Sequence, residues 1–425
     1  MPGYIFPYIL FRSLFNQNIS LILLGIFTVL ISVFASLKLY QLIIEQTGSK
    51  VAGVISLISL EILPYYWHWD WTLHPNSLSA SCLILAVFYL YRFFTAQKKS
   101  DLFYAGFFLT WLFFLRGFTF LFIPITLPVL FFFMKKNQYS IKNTILYLSL
   151  FLSPLLFSET AWISRNYISL HEFIPLQTSF VPGANSSNGE YGYGSYTKYS
   201  MTKLRELINC WGGDNFWYFK NADLKWFAST ETELSAEEQF SKKIFSEKLD
   251  PASLNDLRMA VSFSFRKNLS QAQHDSIEKL VVQKSTELRN EFMRAHTLYF
   301  YFVAPIMRLN NFLIKNTTQD WPGLAFKDSP IWKKSLKLLS LLIYTTSILL
   351  MTILFILRSK NILKQSFLLL LSLYSICIIL TFAIVINSAH YSYYIFGYIP
   401  SVILIICVLT PFIREFKGKR KFNTI

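Results

Sequence analysis

Apolar residues gather into nine blocks separated by short polar or basic breaks: Leu21–Tyr40, Val51–Trp67, Leu78–Phe94, Leu102–Leu115, Phe118–Met134, Thr144–Trp162, Leu338–Leu357, Ser366–Ile386 and Tyr394–Phe412. Most are close to the roughly 20 residues that a helix needs to cross a hydrocarbon core of about 30 Å. A helix bonds its own backbone groups within the segment, so helices are the expected spanning form. The pattern predicts an all-α polytopic membrane protein with about nine transmembrane helices.

Between the sixth and seventh blocks the pattern changes. Residues 164–332 form a polar stretch too long for a simple connection. Charged, helix-like runs occur at Ser235–Glu247 and Gln271–Arg294, and Ser235 with Glu238 makes a capping-box start. This stretch is expected to be a small, mostly helical domain lying on the membrane. The organisation is then an outer juxtamembrane segment 1–20, helices 1–6 in 21–163, and the loop domain 164–332. Helices 7–9 follow in 333–413, and 414–425 is a basic tail. There is no internal repeat and no Gly-rich phosphate loop.

Composition agrees with the blocks. The 425 residues are 53% hydrophobic, 18% aromatic and only 15% charged, which is more apolar than a soluble domain of this length. The net charge of +16 would suggest nucleic acid on a soluble protein. Here much of it sits in short loops, and no nucleic-acid motif is present. Basic clusters fall at Lys50, Arg92/Lys98/Lys99, Lys135/Lys136/Lys142, Arg358/Lys360/Lys364 and Arg414–Lys421. With nine spans they all share one side, the cytoplasmic side by the positive-inside rule. That agreement requires Leu102–Met134 to be two short helices around Arg116-Gly117. The expected location is the plasma (inner) membrane with a cytoplasmic carboxyl terminus. Span parity places Met1–Ser20 outside, and one earlier span and outer loop are expected ahead of it.

Candidate chemistry lies on the outer side. Arg116 stands between Phe113-Phe-Leu and Gly117-Phe-Thr-Phe, where an ionisable residue needs a cavity or a partner. Its guanidinium fork matches phosphate oxygens, though an arginine snorkelling from a helix end is the plainer alternative. Glu61 lies inside the second block, three residues before Pro64, placed to pair with a charge or meet a sugar hydroxyl. In the turn Trp67–Asn76, Asp70 is a candidate general base, while His68, Asp70 and His74 match no standard metal spacing. An aromatic interface belt explains the same turn. Arg165 follows the sixth block, where it would meet a lipid phosphate. Trp211–Phe219 sets aromatic faces beside Asp214, suited to a sugar or to the membrane surface. Cys82, Cys377 and Cys407 fall in apolar blocks and Cys210 in the loop, with no disulfide framework.

Four segments together resemble the GT-C membrane glycosyltransferases, in the branch of protein O-mannosyltransferases and lipid A aminoarabinose transferases. Pro2-Gly-Tyr-Ile-Phe-Pro resembles the family's "PGYP" segment, and Phe113-Phe-Leu-Arg-Gly117 is similar to its "LTKG" or "LTRP" turn. Arg165-Asn166-Tyr167 followed by Phe173-Ile-Pro-Leu-Gln-Thr178 resembles the signature "RNY…G.FVP.ST". Ala389-His-Tyr-Ser-Tyr-Tyr with Pro400 is similar to a carboxyl-terminal "RY…P" element. The resemblance runs over about Pro2–Val181 and the last spans.

The resemblance implies transfer of a sugar from a polyprenyl-phosphate carrier, the donor substrate, to a lipid, glycan or protein acceptor. No further cofactor and no metal is implied; the partners are membrane lipids, the lipid-linked donor and the acceptor, with no nucleic acid. Arg116 and Arg165 would hold the carrier phosphate, with Asn166, Tyr167, Glu61 and His390 as further substrate-binding candidates. His390 stands where the family commonly has arginine. The family's catalytic Asp precedes its "PGYP" segment, where this chain starts, so Asp70 and Asp214 are the replacement candidates for the base. A truncated or inactive relative is the corresponding expectation. Two other classes compete. A transporter or flippase for lipid-linked sugars would show repeat symmetry. A polysaccharide polymerase or ligase would share the arginine–phosphate logic without Arg165-Asn-Tyr.

Overall fold

The computed structural model describes residues 2–61, 75–171, 173, 199–213, 223–228, 235–264, 269–310, 330–357, 365–381 and 394–422. Among them every regular element is a helix. All nine apolar blocks coincide with helices over their described parts. The chain divides into two compact units, one of residues 1–178, 342–379 and 392–425, the other of residues 179–341 and 380–391.

In the first unit the helices are α1 (Pro2–Leu14), α2 (Gln17–Thr47), α3 (Lys50–Glu61), α4 (Pro75–Ala96), α5 (Lys99–Leu115), α6 (Phe122–Lys136) and α7 (Ile141–Leu170). Helix α14 (Ile331–Leu357) ends in this unit, which also holds α15 (Ser366–Leu380) and α16 (Tyr394–Phe422). Among the described residues, four helices are by themselves long and apolar enough to cross a membrane: Gln17–Thr47, Asn76–Ala96, Gly117–Lys136 and Ile141–Ser169. Shorter apolar helices occur at Ser366–Leu380 and Ile395–Pro411. The expected break within Leu102–Met134 is present. Helix α5 stops at Leu115, and a 3-10 turn at Gly117–Leu121 leads into α6.

Helix α4 is the centre of this unit. Its side chains from Asn76 to Phe88 are buried on every side, and it packs against α2, α5 and α16. Tyr91 adds a ring contact to Phe367 of α15 at 5.1 Å. Helices α2 and α7 instead show apolar side chains outward, among them Ile22 and Leu30, and Ile145, Leu156 and Phe157. An apolar outward face on a long helix is what lipid requires. Helix α5 approaches α7 so closely at Gly106 that an added Cβ would lie 2.0 Å from the Phe151 carbonyl oxygen. Small residues at such crossings let backbones meet in the absence of a water-driven hydrophobic effect.

The α4–α5 and α6–α7 connections lie together. The Tyr139 hydroxyl bonds Gln97 Oε1 at 2.5 Å, and the Lys99 ammonium sits over the Tyr147 ring. Arg92 pairs with Asp101 across the α4–α5 turn at 3.5 Å. Two of the basic clusters thus border this end of α4 and α5, while Asn76 and Arg116 mark the other. Helix α4 has 22 residues, so about 30 Å separates the two ends.

The second unit is helical as well, with α8 (Tyr199–Cys210), α9 (Asp223–Ala228), α10 (Ala236–Gln239), α11 (Pro251–Ser264), α12 (Gln271–Ala295) and α13 (Ala304–Asn310). Trp211, Trp226, Phe227, Phe240, Leu257 and Phe292 build its core. Gly212 turns the chain after α8 with φ +72, and a Cβ there would meet Met307 at 2.8 Å. The expected helical run Gln271–Arg294 occurs, and the expected run Ser235–Glu247 is helical only in part. Ser270 and Gln273 form a capping box, and α12 continues through Ala295. The Ser235–Glu238 capping box also forms, but α10 stops at Gln239. Phe240 there turns extended and enters the core against Trp211 and Trp226, and a 3-10 turn at Lys242–Ile244 follows.

Candidate functional site

The Arg116 turn gathers three parts of the chain. Helix α5 ends because Arg116 leaves helical geometry, with φ −147 and ψ 99. Its amide still donates to the Leu112 carbonyl at 2.8 Å, and its carbonyl accepts from the Thr119 amide at 2.9 Å. The Thr119 hydroxyl donates to the same carbonyl at 2.6 Å. The backbone of Arg116 is therefore fixed from both sides. Its side chain is buried, and the guanidinium donates to the amide oxygen of Asn76, in the first turn of α4.

Behind this turn sits α1. A Cβ at Gly3 would lie 2.8 Å from the Phe114 carbonyl carbon and 2.9 Å from the Leu115 nitrogen. The Gly3 carbonyl accepts from Trp111 Nε1 at 2.9 Å. Two of the four family-like segments, Pro2–Pro7 and Phe113–Gly117, are thus packed directly on each other. The carboxyl-terminal segment is close too. Phe396 of α16 meets Phe118 edge-on at 5.3 Å.

A guanidinium carries five N–H donors in a planar fork. The Asn76 oxygen, part of a neutral amide, gives that fork a direction. A positively charged fork held in an apolar setting is suited to a phosphate or another oxyanion.

Glu61 is the last residue of α3, and its carboxylate accepts from Ser36 of α2 at 3.5 Å. Tyr398 of α16 donates its hydroxyl to the Ser59 carbonyl at 2.8 Å, two residues from Glu61. Glu61 and the Tyr394–Pro400 stretch therefore share a neighbourhood.

Arg165, Asn166 and Tyr167 lie within α7, which runs on to Leu170 past the expected end at Trp162. Asn166 is buried and Tyr167 exposed. The Arg165 guanidinium stacks over Trp162 at 5.4 Å and donates to Asn166 Oδ1 at 2.9 Å. Both partners belong to α7, not to the Arg116 turn. Asp70, Asp214, His68, His74 and His390 lie outside the described residues. Trp211, read as a face for sugar stacking, is buried in the core of the second unit, with Nε1 donating to Asp223 at 3.2 Å. Among the described residues no cluster of His, Cys, Asp and Glu has the arrangement of a metal site.

Asn76 had no assigned role in the sequence reading. The signal for it was its position, a polar amide opening an apolar block at the end of a turn rich in charged and aromatic residues.

Comparison with known families bears out the resemblance over this part of the chain: residues 2–162 match the family model for dolichyl-phosphate-mannose-protein mannosyltransferase. That region contains α1, the Arg116 turn and Asn76, and ends three residues before Arg165. No curated protein and no solved structure gives a significant match.

Proposed function

We propose that this protein is a membrane glycosyltransferase that moves a sugar from a polyprenyl-phosphate carrier to a lipid, glycan or protein acceptor on the outer face. The observation that carries the reading is the fixed Arg116 guanidinium, oriented by Asn76, inside the region that matches the mannosyltransferase family. In such a transfer the acceptor hydroxyl oxygen forms a bond to the anomeric carbon. The bond from that carbon to the carrier phosphate oxygen breaks, and the carrier leaves as a phosphate with added negative charge. Arg116 stabilises that developing charge, an effect worth most in a site that excludes water. Asn76 holds the fork so that little reorganisation is needed at the moment of transfer. A carboxylate takes the hydroxyl proton, and Asp70 or Asp214 is proposed for that role. Arg165 is proposed as a further ligand of the carrier phosphate, with Asn166 and Tyr167 as neighbouring donor-binding residues.

The test uses the purified full chain in nanodiscs with radiolabelled polyprenyl-phosphate-mannose and membranes from the source cell as acceptor. Label should pass to the acceptor fraction and carrier phosphate should be released, both falling at least tenfold in Arg116→Ala. Intact lipid-linked sugar crossing sealed vesicles without sugar release would instead establish a flippase and overturn the proposal. Release that is unchanged in Arg116→Ala would remove this residue from the site.

A further inference from the structure

In the second unit, α12 carries a charged outer face up to Arg294 and then changes character. The run Leu298-Tyr-Phe-Tyr-Phe-Val-Ala-Pro-Ile-Met307 is apolar throughout, and its centre, Tyr299–Val303, winds as a π-helix before α13. One face of this run belongs to the unit's core. Ala304 is fully buried, and Tyr299 and Phe300 pack against the cluster around Phe292. The opposite face is open. Leu298 is 75% exposed, Phe302 65% and Ile306 66%, with Tyr301, Val303 and Met307 beside them.

The wide π-turn has a geometric effect. A π-helix advances each residue by a smaller angle than an α-helix, so Leu298, Phe302 and Ile306 come onto one stripe with Val303 and Met307 at its edge. A helix apolar all round is either buried in protein or in contact with lipid. This one is only half buried by its own unit.

We infer that the stripe Leu298–Met307 is a membrane-surface foot that seats this unit in the interfacial layer of the bilayer. The occupant is a lipid surface rather than a protein, for three reasons on the molecule itself. The stripe combines tyrosine and phenylalanine with aliphatic residues, the mixture favoured at a headgroup boundary. The exposed Arg294 precedes it, and a cationic side chain beside an apolar face complements anionic headgroups. The chain then enters α14, whose first residues Ile331 and Trp332 are themselves exposed and whose continuation is a membrane-spanning block. The seat does not depend on whether sugar transfer occurs.

The experiment places single spin labels on the full chain in nanodiscs, in a background where the four native cysteines are replaced by serine or alanine. Labels go at Phe302→Cys, at Ile306→Cys and, as a control on the charged face of α12, at Lys279→Cys. Collision with oxygen and with a water-soluble nickel complex reports depth. The expected result is strong oxygen and weak nickel collision at positions 302 and 306, with the reverse at 279. Nickel collision at all three positions would overturn the inference, because the stripe would face water. Immobile labels reached by neither reagent would also overturn it, because the stripe would then be covered by protein. A conservative Phe302→Leu variant, with the label at 306, should keep the depth reading if the seat rests on apolar contact.

Discussion

Arg116 and Asn76, forty positions apart in the chain, are joined side chain to side chain at one end of the α4–α5 pair. The amide gives the guanidinium a direction, and the pairing defines a testable division of labour.

Arg116→Lys keeps the charge but loses the fork, and should lose most transfer activity. Asn76→Ala should reduce transfer by about 10–100-fold, the effect of removing a hydrogen bond to a charged group worth about 1.5–3 kcal/mol. Asn76→Gln should recover part of it. Rates at saturating and limiting lipid-linked sugar, compared across the three variants, check the assignment. A merely structural Asn76 would lower the folded yield in proportion and leave the rate per folded molecule unchanged.

Gly106→Ala should be strongly destabilising, since its methyl group would overlap the Phe151 carbonyl at 2.0 Å. Overpacking typically costs about 1–3 kcal/mol, and backbone is the least able neighbour to yield. The measurement is the thermal aggregation midpoint in detergent, where the variant should fall several degrees below wild type. Phe107→Ala, one residue along on the outward face, should change it little.

Cys210 should resist alkylation in the folded protein. It is buried, its thiol donates to the Glu206 carbonyl at 3.2 Å, and burial pushes its pKa up to about 12. Only the thiolate reacts, so at pH 8 the reactive fraction is on the order of one in ten thousand. Mass spectrometry after N-ethylmaleimide treatment at pH 8 should find it unmodified until denaturant is added.

The Ser235–Glu238 capping box should show a pH signature. The Ser235 backbone amide donates to the Glu238 carboxylate at 2.8 Å, which lowers its pKa below the usual 4.5. A depressed carboxylate pKa means the stabilisation is complete above about pH 4.5 and is lost as pH falls through the folded value. Hydrogen exchange of α10 should therefore differ between wild type and Glu238→Ala at pH 7 and converge near pH 3.

Much of the architecture was legible because lipid makes helix length and apolar content nearly sufficient. The split at Arg116 followed from charge sidedness alone, and the α5 break with its 3-10 turn bears it out. The early stop of α10 was not legible. Its cap and charge pattern favour continuation, but core burial of Phe240 outweighs the local preference. In the candidate site, Arg116 was readable as a costly charge in an apolar run. Asn76 was not, because its role depends on a contact forty residues away. Trp211 misled for a related reason. Aromatics beside a carboxylate describe a sugar-binding face and a buried tryptophan bonded to Asp223 equally well.

The enclosure of α4 bears on how the protein is made. A helix with Ser77 and Ser81 buried on one side and Ser79 on the opposite side, and with protein rather than lipid around it, has little reason to be stable alone in the bilayer. It leaves the ribosome after α2 but before α5 and α16, two of the helices that cover it. During synthesis its hydroxyls must therefore be sheltered, by the insertion machinery or by α2, until the later helices arrive. Substitutions that delay α5 or α16 should then appear first as degradation of nascent chains, before any effect on the finished protein.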